Sequence, residues 1–472
     1  MKTNIKSALL IYPPTGIYDR FERCQSPVES ESVNIMRPPL DLMYLAAILE
    51  RNDIKVYLRD YPAAGKNWKS LNQDIQEINP DLLLVSATLH TFSQDCLAFE
   101  IAKKFNLSIT CILKGFFPDQ GKQILLNYPT VDIILREEPE LALEEFIRGQ
   151  PLQNIPGLSY RSNGTIQINP NRYSFPELDS LPFPARHLSN NALYRMPDNG
   201  KKMGIILLSK GCPCDCTFCL VPLVNNKQVR LRSPDSLAAE LYECVHKHGI
   251  TDFWFRADNF TINKTWVLRV CDKIIKSRLP IRWATSSRAD SLDAEMISAM
   301  KKSGCFAIGM GVESGSQDTL QRIKKNITKQ QIKEAVDLCH KNKIQTYLFF
   351  IIGFPWETTR HIKDTISFAR QLAGDVVDFS FSTPFPGTEL FDLSVKLGVL
   401  KADTEYSQGN YGIPLIGTLH LSRDELVEME KSAYRQIMFS PAYIIRNISK
   451  IRSFKECICY LKAAIHLIKL CR

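Results

Sequence analysis

No stretch of this 472-residue sequence reaches the roughly 18 uninterrupted apolar residues that a membrane-crossing helix needs. The chain therefore reads as one that does not span a bilayer. Its start lacks a secretory pattern as well, because the short apolar run Ala8–Tyr12 stops at Pro13-Pro14. A cytoplasmic location is the expectation. No basic arm is gathered within the first 430 residues, and a formal charge of +9 is modest for this length, so nucleic acid is not an expected partner. Nor do fourteen cysteines in so long a chain suggest a disulfide framework. They fit a reducing compartment in which some thiols bind metal and others are buried as small apolar groups. With 44% hydrophobic residues, what remains is an ordinary globular composition, long enough for two or three domains.

Against that background one stretch is dense in thiols. Gly211-Cys212-Pro213-Cys214-Asp215-Cys216-Thr217-Phe218-Cys219 places four within eight residues. Cys-x₂-Cys pairs are common zinc ligands, but zinc sites usually join two such pairs across a longer stretch, and no second pair follows. The other arrangement takes Cys212, Cys216 and Cys219, spaced by three residues and then two, with Phe218 directly before the last. A [4Fe–4S] cluster takes one thiolate per iron, so three ligands leave one iron open. Spacing alone leaves both metals open.

The first 150 residues alternate short β-rich runs with helical spacing. Ala8–Tyr12, Lys55–Leu58, Asp81–Val85, Ile109–Leu113 and Val131–Leu135 read as strands, and Leu40, Met43, Leu45, Ile48 and Leu49 mark a helix between the first two. Strand and helix repeated five times predict an open, doubly wound parallel sheet. Ligands of such sheets sit at the carboxyl ends of the strands, which here are Pro13-Pro14, Asp60, Ser86–Thr91 and Gly115. Residues 151–202, rich in Pro, Asn, Gly and Ser, read as an ordered connector, with a hairpin turning at Asn163-Gly164.

From residue 203 to about 390, six strand-like runs each precede a helical pattern: Met203–Ser209, Asp252–Arg256, Ile281–Ala284, Phe306–Met310, Thr346–Ile352 and Asp378–Ser382. They predict a partial (β/α)₆ barrel. Reactive groups of parallel barrels gather where the strands end. Behind the six runs come the cysteine stretch, Asp258-Asn259, Ser286-Ser287-Arg288, Gly311-Val312-Glu313-Ser314-Gly315, Gly353-Phe354-Pro355 and Pro384-Phe385-Pro386-Gly387-Thr388. Six polar or glycine-rich loops converge on one rim, which a stray zinc knot would not require.

These stretches resemble the radical S-adenosylmethionine (SAM) enzymes, and specifically the subgroup that carries a cobalamin (B12)-binding domain ahead of the barrel. The likeness lies in the three-cysteine loop, in Arg37-Pro38-Pro39-Leu40-Asp41-Leu42, Asp60-Tyr61-Pro62-Ala63-Ala64-Gly65, Asn79-Pro80-Asp81 and Glu138-Pro139-Glu140, and in the interdomain phrase Leu178–Arg186. Two departures accompany it. There is no Asp-x-His-x-x-Gly, the only histidine of the domain being His90, and Lys114-Gly115-Phe116-Phe117 stands where relatives often have Gly-Gly-Pro-His.

The resemblance implies an α/β chain of four parts: a Rossmann-like cobalamin-binding domain (1–150), the connector (151–202), a TIM-like radical SAM barrel (203–400) and a helical C-terminal region (401–472). It implies a [4Fe–4S] cluster on Cys212, Cys216 and Cys219, with Cys214 a bystander. SAM would be met by Phe218, Asp258, Arg288 and Glu313, and cobalamin by Asp60, Ser86 and Gly115. The implied reaction is reductive cleavage of SAM to a 5′-deoxyadenosyl radical followed by C-methylation of an unactivated carbon. A radical ring-forming reaction on a lipid or tetrapyrrole-like substrate is the alternative, and a non-catalytic metal-stabilised scaffold the third. Partners would be a small-molecule or lipid substrate and an electron donor such as flavodoxin or ferredoxin.

From Leu421 the pattern is helical, with Glu425, Glu428, Glu430 and Lys431 expected at solvated positions. After Phe439-Ser440-Pro441, the basic residues Arg446, Lys450, Arg452, Lys455, Lys462, Lys469 and Arg472 alternate with isoleucines and leucines. Such helices either lie on anionic membranes, or cap the open barrel or bind another subunit.

Overall fold

A computed structural model describes residues 4–20, 27–28, 35–115, 120–136, 138–162, 164–172, 175–406, 409–451 and 453–470. Phe116, Phe117, Asn163, Arg452 and Arg472 thus lie outside the described residues. The chain divides into two compact units: Met1–Gln25 with Pro38–Leu193 and Leu223–Asn225, and Ser26–Arg37 with Tyr194–Pro222 and Asn226–Arg472.

The first unit is built on strands β1 (Ser7–Tyr12), β2 (Lys55–Asp60), β3 (Leu82–Ser86), β4 (Thr110–Lys114), β5 (Ile133–Leu135), β6 (Leu158–Ser162) and β7 (Thr165–Ile168), in sheet order β2-β1-β3-β4-β5-β6-β7. The first five are parallel. Their sequences are near-continuous apolar runs because helices cover both faces; β3, Leu-Leu-Leu-Val-Ser, is buried throughout. The helix Leu40–Arg51 buries ten consecutive residues, Leu40 to Leu49. The doubly wound expectation holds, with one difference. The hairpin β6–β7, read as part of a connector, pairs antiparallel with β5 and extends the sheet.

The second unit opens with β8 (Met203–Leu207), continues through a small antiparallel ribbon, β9 (Ser209–Lys210) with β10 (Arg230–Leu231), and then β11 (Asp252–Arg256), β12 (Arg282–Ser287), β13 (Cys305–Glu313), β14 (Gln345–Ile352) and β15 (Val376–Phe381). Six parallel strands in order β15-β14-β13-β12-β11-β8 make the open arc of a partial barrel. Outward-facing residues such as Phe253, Trp283, Ile308, Leu348 and Phe379 pack under the surrounding helices. The lumen near the strands' amino ends is filled by Ala284, Ala307 and Tyr347, with Trp254, Phe306 and Phe349 around them. Arg282 seals that end, lying 3.9 Å over the Phe306 ring and pairing with Asp198 and Asp252. The outer edge of β15 is also closed. The Phe379 amide donates to the Tyr434 hydroxyl at 3.0 Å and the Phe381 amide to the Tyr411 carbonyl at 2.8 Å, which leaves this edge little to offer another strand.

The expected helix from Leu421 is Arg423–Met438, started by Ser422 and Glu425 in a capping box. Glu430 is not solvated as expected. Burial, with Asp378 nearby, pushes its carboxyl up to about 9. The reason is that this helix packs on β15 through Tyr434, whose ring meets Phe379 edge-on, and Glu430 lies one turn before it. Among the described residues no helix is long and apolar enough to cross a membrane.

The local backbone also fixes where the cysteine stretch begins. Gly211 follows β9 with φ +91°, and a Cβ there would stand 2.0 Å from the Gln228 carbonyl oxygen. No side chain fits, and an L-residue would in addition be strained by its φ. Gly211→Ala is therefore expected to destabilise the fold by more than about 1 kcal/mol and to displace the turn that follows. Urea denaturation and the iron content of anaerobically reconstituted protein measure both effects.

Candidate functional site

Each end of the cysteine stretch is pinned by backbone. The Gly211 amide donates to Asp258 Oδ2 at 2.8 Å, and the Cys212 amide to the Asn226 carbonyl at 3.3 Å. Further on, the Thr217 amide donates to Ile323 O at 3.1 Å, and Thr217 O accepts from the Leu390 amide at 2.9 Å. The turn is thus held by the loops after β11 and β13 and by the helix after β15. The side chains of all four cysteines stay partly accessible, whereas Cys244, Cys271, Cys305 and Cys339 are buried.

Three elements bring charge to these thiols. Arg288, at the end of β12, points Nη1 to Cys216 Sγ at 3.9 Å, donates from Nη2 to Lys325 O at 2.7 Å and grips Asp290 at 2.8 and 2.9 Å. Burial works against its charge, but Asp290 prevails, so its pKa stands above the ordinary value. Lys325 is buried and holds Glu313 Oε1 at 2.7 Å. Burial likewise opposes its charge, and Glu313 and Cys216 more than offset it. Burial raises the Cys216 thiol against the pull of Lys325 and Arg288. Cys212 and Cys214 share a hydrogen bond, which raises Cys212 and lowers Cys214.

Glu313 reaches its place through an irregular strand end. The register of β13 against β14 shifts between Gly311 and Glu313, and Glu313 itself has φ +64°. A non-glycine residue in that region costs roughly 1–3 kcal/mol, and such strain concentrates at functional sites. The carboxylate folds back over Gly311, where a Cβ would lie 2.3 Å from Oε1. Gly311 is the space that Glu313 occupies.

The residues expected to meet SAM therefore share one rim, with particular partners. Arg288 is turned toward Cys216, and Glu313 toward Lys325. Phe218 packs against Phe354, ring centroids 6.1 Å apart, and Phe354 stacks on Trp356 at 5.4 Å. Asp258 holds the Gly211 amide, so its visible task is to anchor the cysteine turn. In the first unit, Asp60 Oδ1 accepts the Ala63 amide at 3.0 Å in the turn after β2, Ser86 donates to Asp41 at 2.8 Å, and Gly115 follows β4.

Sequence reasoning missed Lys325, which lies in a basic run and on no periodic face. It also missed the paired charges of the first unit. Asp41 takes Lys114 Nζ at 2.7 Å and the Tyr12 hydroxyl at 2.5 Å, while Arg20 is bound to Asp95 at 2.7 Å. Their signal was a single Asp inside the apolar helix Leu40–Arg51.

Does this rim suit a cluster and SAM? Buried side-chain atoms without a hydrogen-bond partner include Thr217 Oγ1 inside the cysteine turn, Asn259 Nδ2 beyond β11 and Ser382 Oγ beyond β15. Orphaned polar atoms are costly unless a ligand or water satisfies them. Their gathering at strand ends, beside thiols and two cations, fits a polar, anionic group. Among the described residues no three His, Cys, Asp or Glu side chains close on one point as a single metal ion would require. A cluster distributes its thiolates over separate irons and needs no such point.

Comparison with known proteins gives the same assignment. A 29% identical relative over 459 residues, spanning 95% of this chain and 96% of its own, is an uncharacterized methyltransferase of Pyrococcus horikoshii. The anaerobic magnesium-protoporphyrin IX monomethyl ester cyclase of Rubrivivax gelatinosus is 24% identical over 420 residues, 86% of this chain and 75% of that protein. In fold, the chain is similar to the cobalamin-dependent SAM radical enzyme OxsB, solved with aqua-cobalamin and SAM bound. The TM-score is 0.72 at 17% identity, over 99% of this chain and 72% of that one. The radical SAM superfamily pattern matches residues 206–369, the stretch that carries the cysteine turn, Asp258, Arg288 and Glu313, and this stretch is a radical SAM domain.

Proposed function

We propose that the protein is a cobalamin-dependent radical SAM methyltransferase that methylates an unactivated carbon of a small molecule. The observation that carries this reading is the pinned cysteine turn facing Arg288, Lys325 and Glu313 at the carboxyl end of the barrel. When bound, the cluster and SAM supply a 5′-deoxyadenosyl radical by reductive cleavage, and cobalamin supplies the methyl group. Cys212, Cys216 and Cys219 would hold three irons. Arg288 and Lys325 offset the negative charge of those thiolates and of the SAM carboxylate, a geometry in which guanidinium is strong. With Oε1 of Glu313 on Lys325, Oε2 serves a ribose hydroxyl. Phe218 and Phe354 offer an apolar wall for adenine.

Cobalamin presents a rim of neutral amides, and the first unit suits a neutral ligand. Four of its buried charges lie in pairs, Asp41 with Lys114 and Arg20 with Asp95. The side chains of Ser86 and Asp60 are engaged internally, so they would offer a corrin little.

Two experiments test the proposal. After anaerobic reconstitution, Cys212→Ala, Cys216→Ala and Cys219→Ala are each expected to lose the brown cluster chromophore and all 5′-deoxyadenosine formation, while Cys214→Ala keeps both. Retention by the first three, or loss in the fourth, overturns the ligand assignment. The second uses SAM with a deuterated methyl group. The methyltransferase reading expects corrin absorbance in the purified protein and a product heavier by a trideuteromethyl group. The cyclase relative makes ring formation the competing outcome, which yields an unlabelled product.

A further inference from the structure

The last two helices, Pro441–Ile448 and Phe454–Leu470, have contrasting faces. One face is fastened to the amino end of the barrel. Arg446 Nη2 donates to Gly374 O at 2.7 Å, Lys450 Nζ lies 2.5 Å from Asp375 Oδ1, and Tyr443 packs against the barrel core. These contacts hold the first of the two helices in one orientation. The opposite face stands clear of the protein. Phe454, Ile458, Leu461, Ile465 and Ile468 are 82%, 41%, 61%, 50% and 42% exposed, and they recur at steps of four and three residues. That spacing draws one straight stripe along a helix. Ile444, Ile445 and Ile448 add a second apolar patch at 42%, 68% and 62% exposure.

Eight large apolar side chains left in water on one short segment are unusual for a soluble surface. The charge around them says what covers them. Beyond Arg446 and Lys450, which are turned to the barrel, the sequence up to Leu470 holds Arg452, Lys455, Lys462 and Lys469 against the single acid Glu456. Two copies of this face would repel one another, whereas an anionic surface attracts it. We infer that the tail docks the protein on an anionic lipid bilayer, its apolar stripe lying in the interface and its net positive charge drawing it to the headgroups.

The docking has a direction. Gly374 and Asp375 precede β15, so the tail is bound where the barrel strands begin. A six-residue strand rises about 3.3 Å per residue, which sets the reactive rim roughly 20 Å from that end. The bilayer therefore holds the protein by its sealed end and leaves the rim to the aqueous phase. The tail is an anchor, not a route by which a lipid reaches the thiols. This inference stands independently of methyl transfer.

The test is co-sedimentation of the full-length protein with vesicles of phosphatidylcholine mixed with phosphatidylglycerol, against vesicles of phosphatidylcholine alone. The wild type is expected to pellet with the anionic vesicles and to be released by salt. The double variant Leu461→Glu/Ile465→Glu changes only exposed positions, so it should melt like the wild type and bind anionic vesicles roughly tenfold or more weakly. A wild type that stays in the supernatant, or a variant that pellets equally, overturns the proposal. So does a wild type that is dimeric in gel filtration and becomes monomeric on substitution, because the stripe would then belong to a second copy.

Discussion

The hydrogen bond from the Gly211 amide to Asp258 is the constraint on which the second unit's chemistry rests. A loop carrying four thiols has little apolar surface to bury beyond Phe218 and so little reason of its own to hold a shape. Asp258 supplies one from the neighbouring strand end, and the crowded approach of Gly211 to the Gln228 carbonyl allows no other residue there. The amides at Thr217 and Leu390 complete the frame. The thiols remain partly open because the hydrogen bonds at Gly211, Cys212 and Thr217 engage the turn's own backbone and not its thiols. Ligand side chains are thereby left to the ligand.

Electrostatics then decide what that opening accepts. Lys325 and Arg288 are charged groups taken largely out of water, a placement that breaking either partner of a buried pair would make costly by roughly 3–5 kcal/mol. Glu313 neutralises Lys325 and Asp290 neutralises Arg288, so the pairs are stable before any cofactor arrives. Yet both cations also stand close enough to Cys216 to oppose the rise that burial imposes on its thiol. The rim thus tolerates thiolates without presenting unpaired charge when empty. Asn259 and Ser382, each buried with an unsatisfied atom, show where polar ligand atoms are still wanted.

How far the sequence revealed this depends on the range over which each feature is determined. Strand positions were legible because parallel strands covered on both faces must be apolar throughout, and β11 begins and ends where its pattern does, at Asp252 and Arg256. The cysteine turn was legible because metal-ligand spacing is local. The hairpin β6–β7 was legible as a hairpin, but not as a part of the sheet, since its pairing with β5 is a choice made in three dimensions. Glu430 was misread for the same reason: its helix looks solvated in sequence until Tyr434 turns it onto β15. Lys325 gave no signal at all. Its role follows from Gly311 and the bulge before Glu313, which only the folded strand brings beneath it.

The two ends of the barrel follow from one inequality in how side chains are satisfied. At the amino end, Trp254, Phe306 and Tyr347 fill the lumen, and Arg282 closes it with both of its acidic partners already bound. The Arg282 charge is met there by Asp198 and Asp252, so that end can be given over to packing the tail. At the carboxyl end, Thr217, Asn259 and Ser382 each hold a buried polar atom without a partner, and Gly311 leaves room for the Glu313 carboxylate. A parallel barrel separates these roles automatically, because every strand delivers its following loop to the same side. The chemistry can therefore be confined to one end while the other carries the contacts that hold the molecule in place.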